Sequence, residues 1–146
     1  IGWVSGSYLA NGVVEQTSTP STNKVQAVID LAHKQLGKPY VWGAEGPNSF
    51  DCSGLIYYVY KNAASITLPR TSSDQYSAGV AVSRSNLKAG DLIFSSTDGT
   101  GNITHVAIYV GDGQMIHAPR NGKNVEKVSI NNSYWNKAYV GARRVL

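Results

Sequence analysis

The sequence predicts an α+β domain in which N-terminal helices pack on an antiparallel β-sheet. Apolar residues recur at helical spacing in the first half of the chain, and from Leu87 onward they alternate with polar ones as in half-buried strands. Turn signals such as Gly111-Asp112-Gly113 punctuate the second half, so neighbouring strands are joined as hairpins. Helices first and strands after, without internal repeats, give a layered structure around one core. The 146 residues are enough for that core without a metal or disulfide staple.

Ser21 or Thr22 is placed to cap a first helix, whose apolar positions Val25, Val28, Ile29, Ala32 and Leu36 form one stripe. Gly37 and Pro39 should end it. His33 lies beside the stripe and reads as an ordinary surface or half-buried side chain. Tyr40-Val41-Trp42-Gly43 is a short aromatic segment, and Gly46-Pro47-Asn48 a turn. A second helix should run from about Asp51 to Asn62, with Cys52, Leu55, Ile56 and Val59 on the face turned to the protein body. Gly54 in its first turn points to close backbone packing or to room for a substrate. Pro69 to Tyr76 reads as a turn that caps a third, short helix.

Lys88-Ala89-Gly90-Asp91 feeds the strand Leu92-Ile93-Phe94, and a glycine-rich loop spans Asp98 to Asn102. Thr104 to Val110 alternates, with Val106, Ile108 and Val110 on one side and His105, Ala107 and Tyr109 on the other. Gly111 to Gly113 returns the chain into Gln114 to Ala118, and strands near Val125 to Ile130 and Tyr139 to Arg144 complete the sheet.

Composition narrows the function. Hydrophobic residues at 42% and charged residues at 15% describe a folded globule. No apolar run approaches the length of a membrane span. The net charge of +4 is mild and its basic residues are scattered, so no nucleic-acid partner is expected. One cysteine and three histidines lack close ligand spacing, so neither a metal site nor a cofactor is expected.

The lone Cys52 sits in Phe50-Asp51-Cys52-Ser53-Gly54, where the second helix begins. A thiol at a helix N-terminus lies near unpaired amides, which favour the thiolate and can also bind an oxyanion. A nearby imidazole can take the thiol proton as a thiolate–imidazolium pair. Two histidines are available. If Gly111-Asp112-Gly113 is a three-residue loop, Ala107 lies opposite His117 and His105 is one diagonal step away on the same face. A plain two-residue turn would place the two imidazoles on opposite faces. One imidazole can then act as base while the other orients it, and spacing alone leaves open which does which.

Six collinear phrases resemble the NlpC/P60 family of bacterial cell-wall peptidases. They are Gly37-Lys38-Pro39-Tyr40-Val41-Trp42-Gly43, Phe50-Asp51-Cys52-Ser53-Gly54-Leu55, Leu68-Pro69-Arg70-Thr71-Ser72, Lys88-Ala89-Gly90-Asp91-Leu92-Ile93-Phe94, His105-Val106-Ala107-Ile108-Tyr109-Val110-Gly111 and Met115-Ile116-His117-Ala118. The resemblance spans about Val25 to Leu146 and implies a papain-like fold. It further implies Cys52 as nucleophile, His105 as base and His117 as orienting residue. Tyr40 would stand near the oxyanion, with Asp51 and Ser53 in a subsite for the amino-terminal side of the substrate. Arg70 is a candidate for a substrate carboxylate, and Trp42 for substrate binding in the aromatic segment. The implied reaction is hydrolysis of the bond from D-γ-glutamyl to the diamino acid (meso-diaminopimelate or L-Lys) of peptidoglycan stem peptides, through a thioester. Amidase or acyltransferase chemistry on the same fold, and a non-catalytic wall-binding module, are the alternatives. A secreted or wall-associated monomer is expected.

Residues 1–10, Ile1-Gly2-Trp3-Val4 through Tyr8-Leu9, resemble the closing strand of a bacterial SH3-like module, or else form a strand of the same domain. Residues 11–22 read as a polar tether, and residues 23–146 as the catalytic domain.

Overall fold

Helix α1 (Ser18–Lys34) opens the computed structural model, which describes residues 18–146, with side chains from residue 23 onward. The helix starts before the cap expected at Ser21 or Thr22. Pro20 falls in its first turn, where a missing N–H leaves no bond unmade. The expected tether therefore yields residues 18–22 to the helix, and the rest of the tether and the SH3-like phrase lie outside the described residues. At the other end the helix stops at Lys34, so Leu36 is exposed and Gln35 is buried in its place. Gln35 satisfies its amide locally, donating to the Leu31 carbonyl and accepting from Lys38 Nζ.

Helix α2 (Cys52–Ala64) follows, then α3 (Ser72–Gln75). Six strands come next: β1 (Val80–Val82), β2 (Leu92–Ser95), β3 (His105–Gly111), β4 (Gln114–His117), β5 (Glu126–Ser129) and β6 (Tyr139–Arg144). Helix α4 (Ser133–Ala138) leads directly into β6. Every pairing between these six strands is antiparallel, in the order β1-β6-β2-β3-β4-β5. The architecture is the α+β layering expected. Strand β1 and helix α4 were not anticipated, because Val80-Ala81-Val82 is short and mostly exposed and α4 has only six residues.

The alternation of β3 sorts its side chains as predicted. Val106 and Ile108 join Leu92, Phe94 and Ile116 in the core beneath α1 and α2, where Val28, Leu55, Ile56 and Val59 are fully buried. Ala107 packs on the opposite face with Ile93, Met115 and Ile130, and Trp135 of α4 covers that face. Each fully buried aliphatic side chain contributes on the order of 2 kcal/mol, so the two small cores hold the helix and hairpin in fixed relation. The buried Asp91 carboxylate locks the far end of the sheet, accepting from Arg144 Nε and Nη2 at 2.8 Å each and from the Lys88 amide.

The β3–β4 hairpin departs from the expected three-residue loop. The turn is Asp112-Gly113, with φ of 56° and 71°, and the register slips between Tyr109 and Gly111. Both turn residues are left-handed, as a two-residue hairpin of matching twist requires. The extra residue in the slip restores the parity that a plain two-residue turn would lose. Ile108 stands opposite Ile116 and Tyr109 opposite Met115, so His105 and His117 share one face after all.

Candidate active site

Asp51 caps α2, its Oδ1 accepting from the Gly54 amide at 2.6 Å and its Oδ2 from the Gly43 amide at 2.9 Å. A Cβ at position 54 would overlap the Ala44 carbonyl oxygen, so only glycine lets the 43–44 turn press on the first helical turn. Cys52 opens the helix here, half-buried, with its sulfur near the backbone amides of Val106 and Ser53. Burial pushes the thiol above its ordinary value and outweighs those amides, which pull it down. Burial thus works against the thiolate that the helix terminus favours.

His105 begins β3 next to Val106, and its Nε2 lies 2.8 Å from His117 Nδ1. His117 Nε2 in turn lies 2.9 Å from Glu126 Oε2, directly across the β4–β5 pair. A carboxylate only accepts, so His117 carries its proton on Nε2 and presents a lone pair at Nδ1. His105 must then donate from Nε2, which leaves His105 Nδ1 as the ring nitrogen open to a new proton. Spacing alone left the roles of the two rings open, and the hydrogen-bond order puts the open nitrogen on His105. Burial, helped by the neighbouring His117, pushes His105 down to about 3. Burial also lowers His117, against the opposing pull of Glu126. Trp135 stacks on His105 with ring centroids 5.1 Å apart and meets His117 edge-on at 5.1 Å.

A cleft of about 430 Å³ opens over the thiol, lined among others by Tyr40, Trp42, Asp51, Ser53, Arg70 and Thr104. The structure thus brings every predicted substrate-side residue to Cys52. Tyr40 is raised from its ordinary value by burial first and then by Cys52 and Asp51, so its hydroxyl is held protonated beside the sulfur. Trp42 is 81% exposed and forms an open wall. Arg70 differs from expectation, because its donors are already engaged. Nη1 meets Asp51 Oδ1 and Ser53 Oγ, Nη2 meets Asp51 Oδ2 at 3.0 Å, and Nε meets Glu45 at 3.1 Å. The guanidinium is part of the scaffold that holds Asp51 and Ser53, not a free receptor for a carboxylate. Gln75, fully buried, reinforces it by donating to the carbonyls of Ser53 and Pro69.

Two residues of this constellation were not foreseen. Glu126 could have been found only by knowing how β4 pairs with β5, and the connection between them sets no register by sequence. Trp135 lies in a six-residue helix with no periodic signal. Among the described residues, no group of three or more His, Cys, Asp or Glu side chains is placed to hold a metal ion.

The NlpC/P60 family model matches residues 37–144. The chain is 47% identical over 141 residues to murein DD-endopeptidase MepH of Escherichia coli (strain K12), covering 94% of this chain and 52% of that protein. It is 46% identical over 120 residues to the gamma-D-glutamyl-L-lysine dipeptidyl-peptidase of Bacillus cereus, covering 82% of this chain and 36% of that one. The crystal structure of an NlpC/P60 family protein from Bacillus cereus superposes with a TM-score of 0.79 at 43% identity, over 84% of this chain and 40% of the other. The chain spans about half or less of the length of these curated relatives. The match across the cysteine helix and the histidine hairpin, at these identities, establishes that the chain belongs to the NlpC/P60 family.

Proposed function

We propose that this chain is a peptidoglycan endopeptidase, a cysteine peptidase that hydrolyses the bond from D-γ-glutamyl to the diamino acid of stem peptides. The observation that carries the reading is the single open lone pair of the relay, His105 Nδ1, on the strand end whose Val106 amide lies at the Cys52 sulfur.

As the sulfur attacks the carbonyl carbon, its proton passes to His105 Nδ1. His117 accepts the His105 Nε2–H and steadies the imidazolium that forms. The oxyanion lies by the start of α2, within reach of the Cys52 amide and the Tyr40 hydroxyl. His105 then gives its proton to the amine of the diamino acid, the C–N bond breaks, and a thioester to the D-γ-glutamyl carbonyl remains. Water attacks the thioester with His105 again as base, and the thiol is regenerated. Asp51 and Ser53, held by Arg70, line the acyl side of the cleft and suit the amino-terminal part of the substrate.

Peptidoglycan as substrate is consistent with a secreted or wall-associated location and with action as a monomer. No described helix is long and apolar enough to cross a membrane. A second reading, cleavage between two D-centres, is favoured by the likeness to the E. coli DD-endopeptidase. Mass spectrometry of purified muropeptides, before and after incubation, separates the readings. The proposal expects loss of the diamino acid and everything beyond it from monomeric stems, and no reaction with Cys52→Ala. Splitting of cross-linked dimers alone would replace it with DD-cleavage, and release of whole peptides from the sugar with amidase chemistry. No change in any muropeptide would leave a wall-binding module.

A further inference from the structure

A second cavity, of about 620 Å³, lies beyond the histidines and is lined by Thr97, Pro119, Arg120, Lys123, Glu126, Tyr134 and Trp135. It adjoins the catalytic cleft. Thr104 lines the cleft at Cys52, and its Oγ1 bonds both the amide and the hydroxyl of Thr97, which lines the second cavity, at 2.8 Å each. The cavity also touches the relay, through Glu126 on His117 and Trp135 on His105. Its place relative to the reaction follows from the chemistry. The leaving amine takes its proton from His105, so the part of the substrate carrying that amine lies on the His105 side of the sulfur.

Charge defines what the cavity suits. Among the described residues no hydrogen bond or ion pair engages the side chains of Arg120 or Lys123, whereas Glu126 is tied to His117. The wall of the cavity thus offers two uncommitted cations beside one committed carboxylate. An arginine and a lysine on a concave wall are a receptor for a carboxylate. Resting on the peptidase reading above, we propose that this cavity binds a carboxylate of the diamino acid on the leaving side of the scissile bond. Two carboxylates are available there: that on the side chain of meso-diaminopimelate, absent from L-Lys, and the α-carboxylate of a stem that ends at the diamino acid.

Three synthetic peptides distinguish them: L-Ala-γ-D-Glu joined to meso-diaminopimelate, to L-Lys, or to L-Lys amide. A side-chain carboxylate in the cavity makes the first peptide about tenfold better in kcat/KM than either other, with the difference mainly in KM. An α-carboxylate there makes the first two equal and the amide about tenfold worse. In either case the double substitution Arg120→Ala, Lys123→Ala brings the favoured peptide down to the level of the amide. Equal rates on all three peptides, or a preference that survives the double substitution, overturn the inference while leaving the peptidase reading standing. Cleavage of none of them removes the peptidase reading. The cavity is then tested by titrating meso-diaminopimelate itself against the Trp135 indole N–H resonance. A shift in wild type that the double variant loses supports carboxylate binding, and no shift overturns it.

Discussion

Glu126 stands directly opposite His117 across strands β4 and β5, and its Oε2 lies 2.9 Å from His117 Nε2. That contact sets the proton positions of both histidines, since each ring must present a lone pair to the donor behind it. The neutral relay therefore has one polarity, and the ring nitrogen it leaves open is His105 Nδ1.

Removing the carboxylate should loosen that polarity without destroying the site. Glu126→Ala is expected to lower kcat about tenfold. This is far less than loss of a buried aspartate behind a catalytic histidine, because the Glu126 side chain is 39% exposed and water can replace it. Glu126→Gln should keep most activity, since its amide oxygen accepts the same bond. The carboxylate raises His117, so Glu126→Ala should also move the acidic limb of the rate profile to lower pH. An acidic limb that stays in place in both variants would mean that Glu126 does not act on the histidines.

Cys52 should behave as a buried thiol in the free enzyme. With burial raising the thiol and holding His105 neutral, alkylation by iodoacetamide should be no faster than that of a free thiol at pH 6. It should climb as pH rises through and beyond the usual thiol range. A rate already at its plateau at pH 6 would show a resting thiolate–imidazolium pair instead. Cys52→Ala should abolish hydrolysis while leaving the melting temperature within a few degrees of wild type.

How much of this was legible beforehand depended on whether local pattern or long-range pairing decided it. The cysteine helix and the sorting of His105 and Ala107 away from Val106 and Ile108 follow from periodicity, which the two cores then enforce. The shared face of His105 and His117 was legible only as a parity argument. The chain satisfies it with a slip before Gly111 and a two-residue turn, where the sequence suggested a three-residue loop. Glu126, Trp135 and the engagement of Arg70 were invisible, because each depends on which distant strand or helix closes over the site. Leu36 misled because apolar spacing continued for one residue type past the last helical hydrogen bonds.

The buried histidines should make stability depend on pH. His105 is depressed to about 3 in the folded protein and returns to the ordinary histidine range on unfolding. Below about pH 6.5 the unfolded chain binds a proton that the folded chain refuses, so its stabilising share is complete above that pH. It is lost progressively as pH falls toward 3, on the order of a few kcal/mol in all. Thermal melts from pH 7.5 to 4 should show a fall of roughly 10 °C, and the fall should be shallower in His105→Asn. Carboxylates titrate in both proteins, so the difference between the two curves isolates the histidine. Parallel curves would mean that His105 takes up its proton in the folded state.

Asp51 both caps α2 and presents charge to the cleft, and one substitution separates the two. Asparagine is as good a cap as aspartate, so Asp51→Asn should keep the bond to the Gly54 amide, while its Nδ2, which cannot accept, gives up the bonds from the Gly43 amide and Arg70 Nη2. In wild type, Asp51 and Glu45 flank the Arg70 guanidinium, so two carboxylates around one cation leave a net negative charge beside Ser53. That surplus suits the ammonium of a free L-Ala terminus. Asp51→Asn would cancel it and leave a neutral cluster that gives an incoming ammonium no net attraction. The variant should therefore raise KM about tenfold for a stem peptide with a free L-Ala amine. It should change little for the same peptide still joined to muramic acid, whose amide carries no charge. Steady-state kinetics on both substrates make the comparison. Equal losses on the two would reduce Asp51 to a helix cap and move the origin of amine selection elsewhere in the cleft.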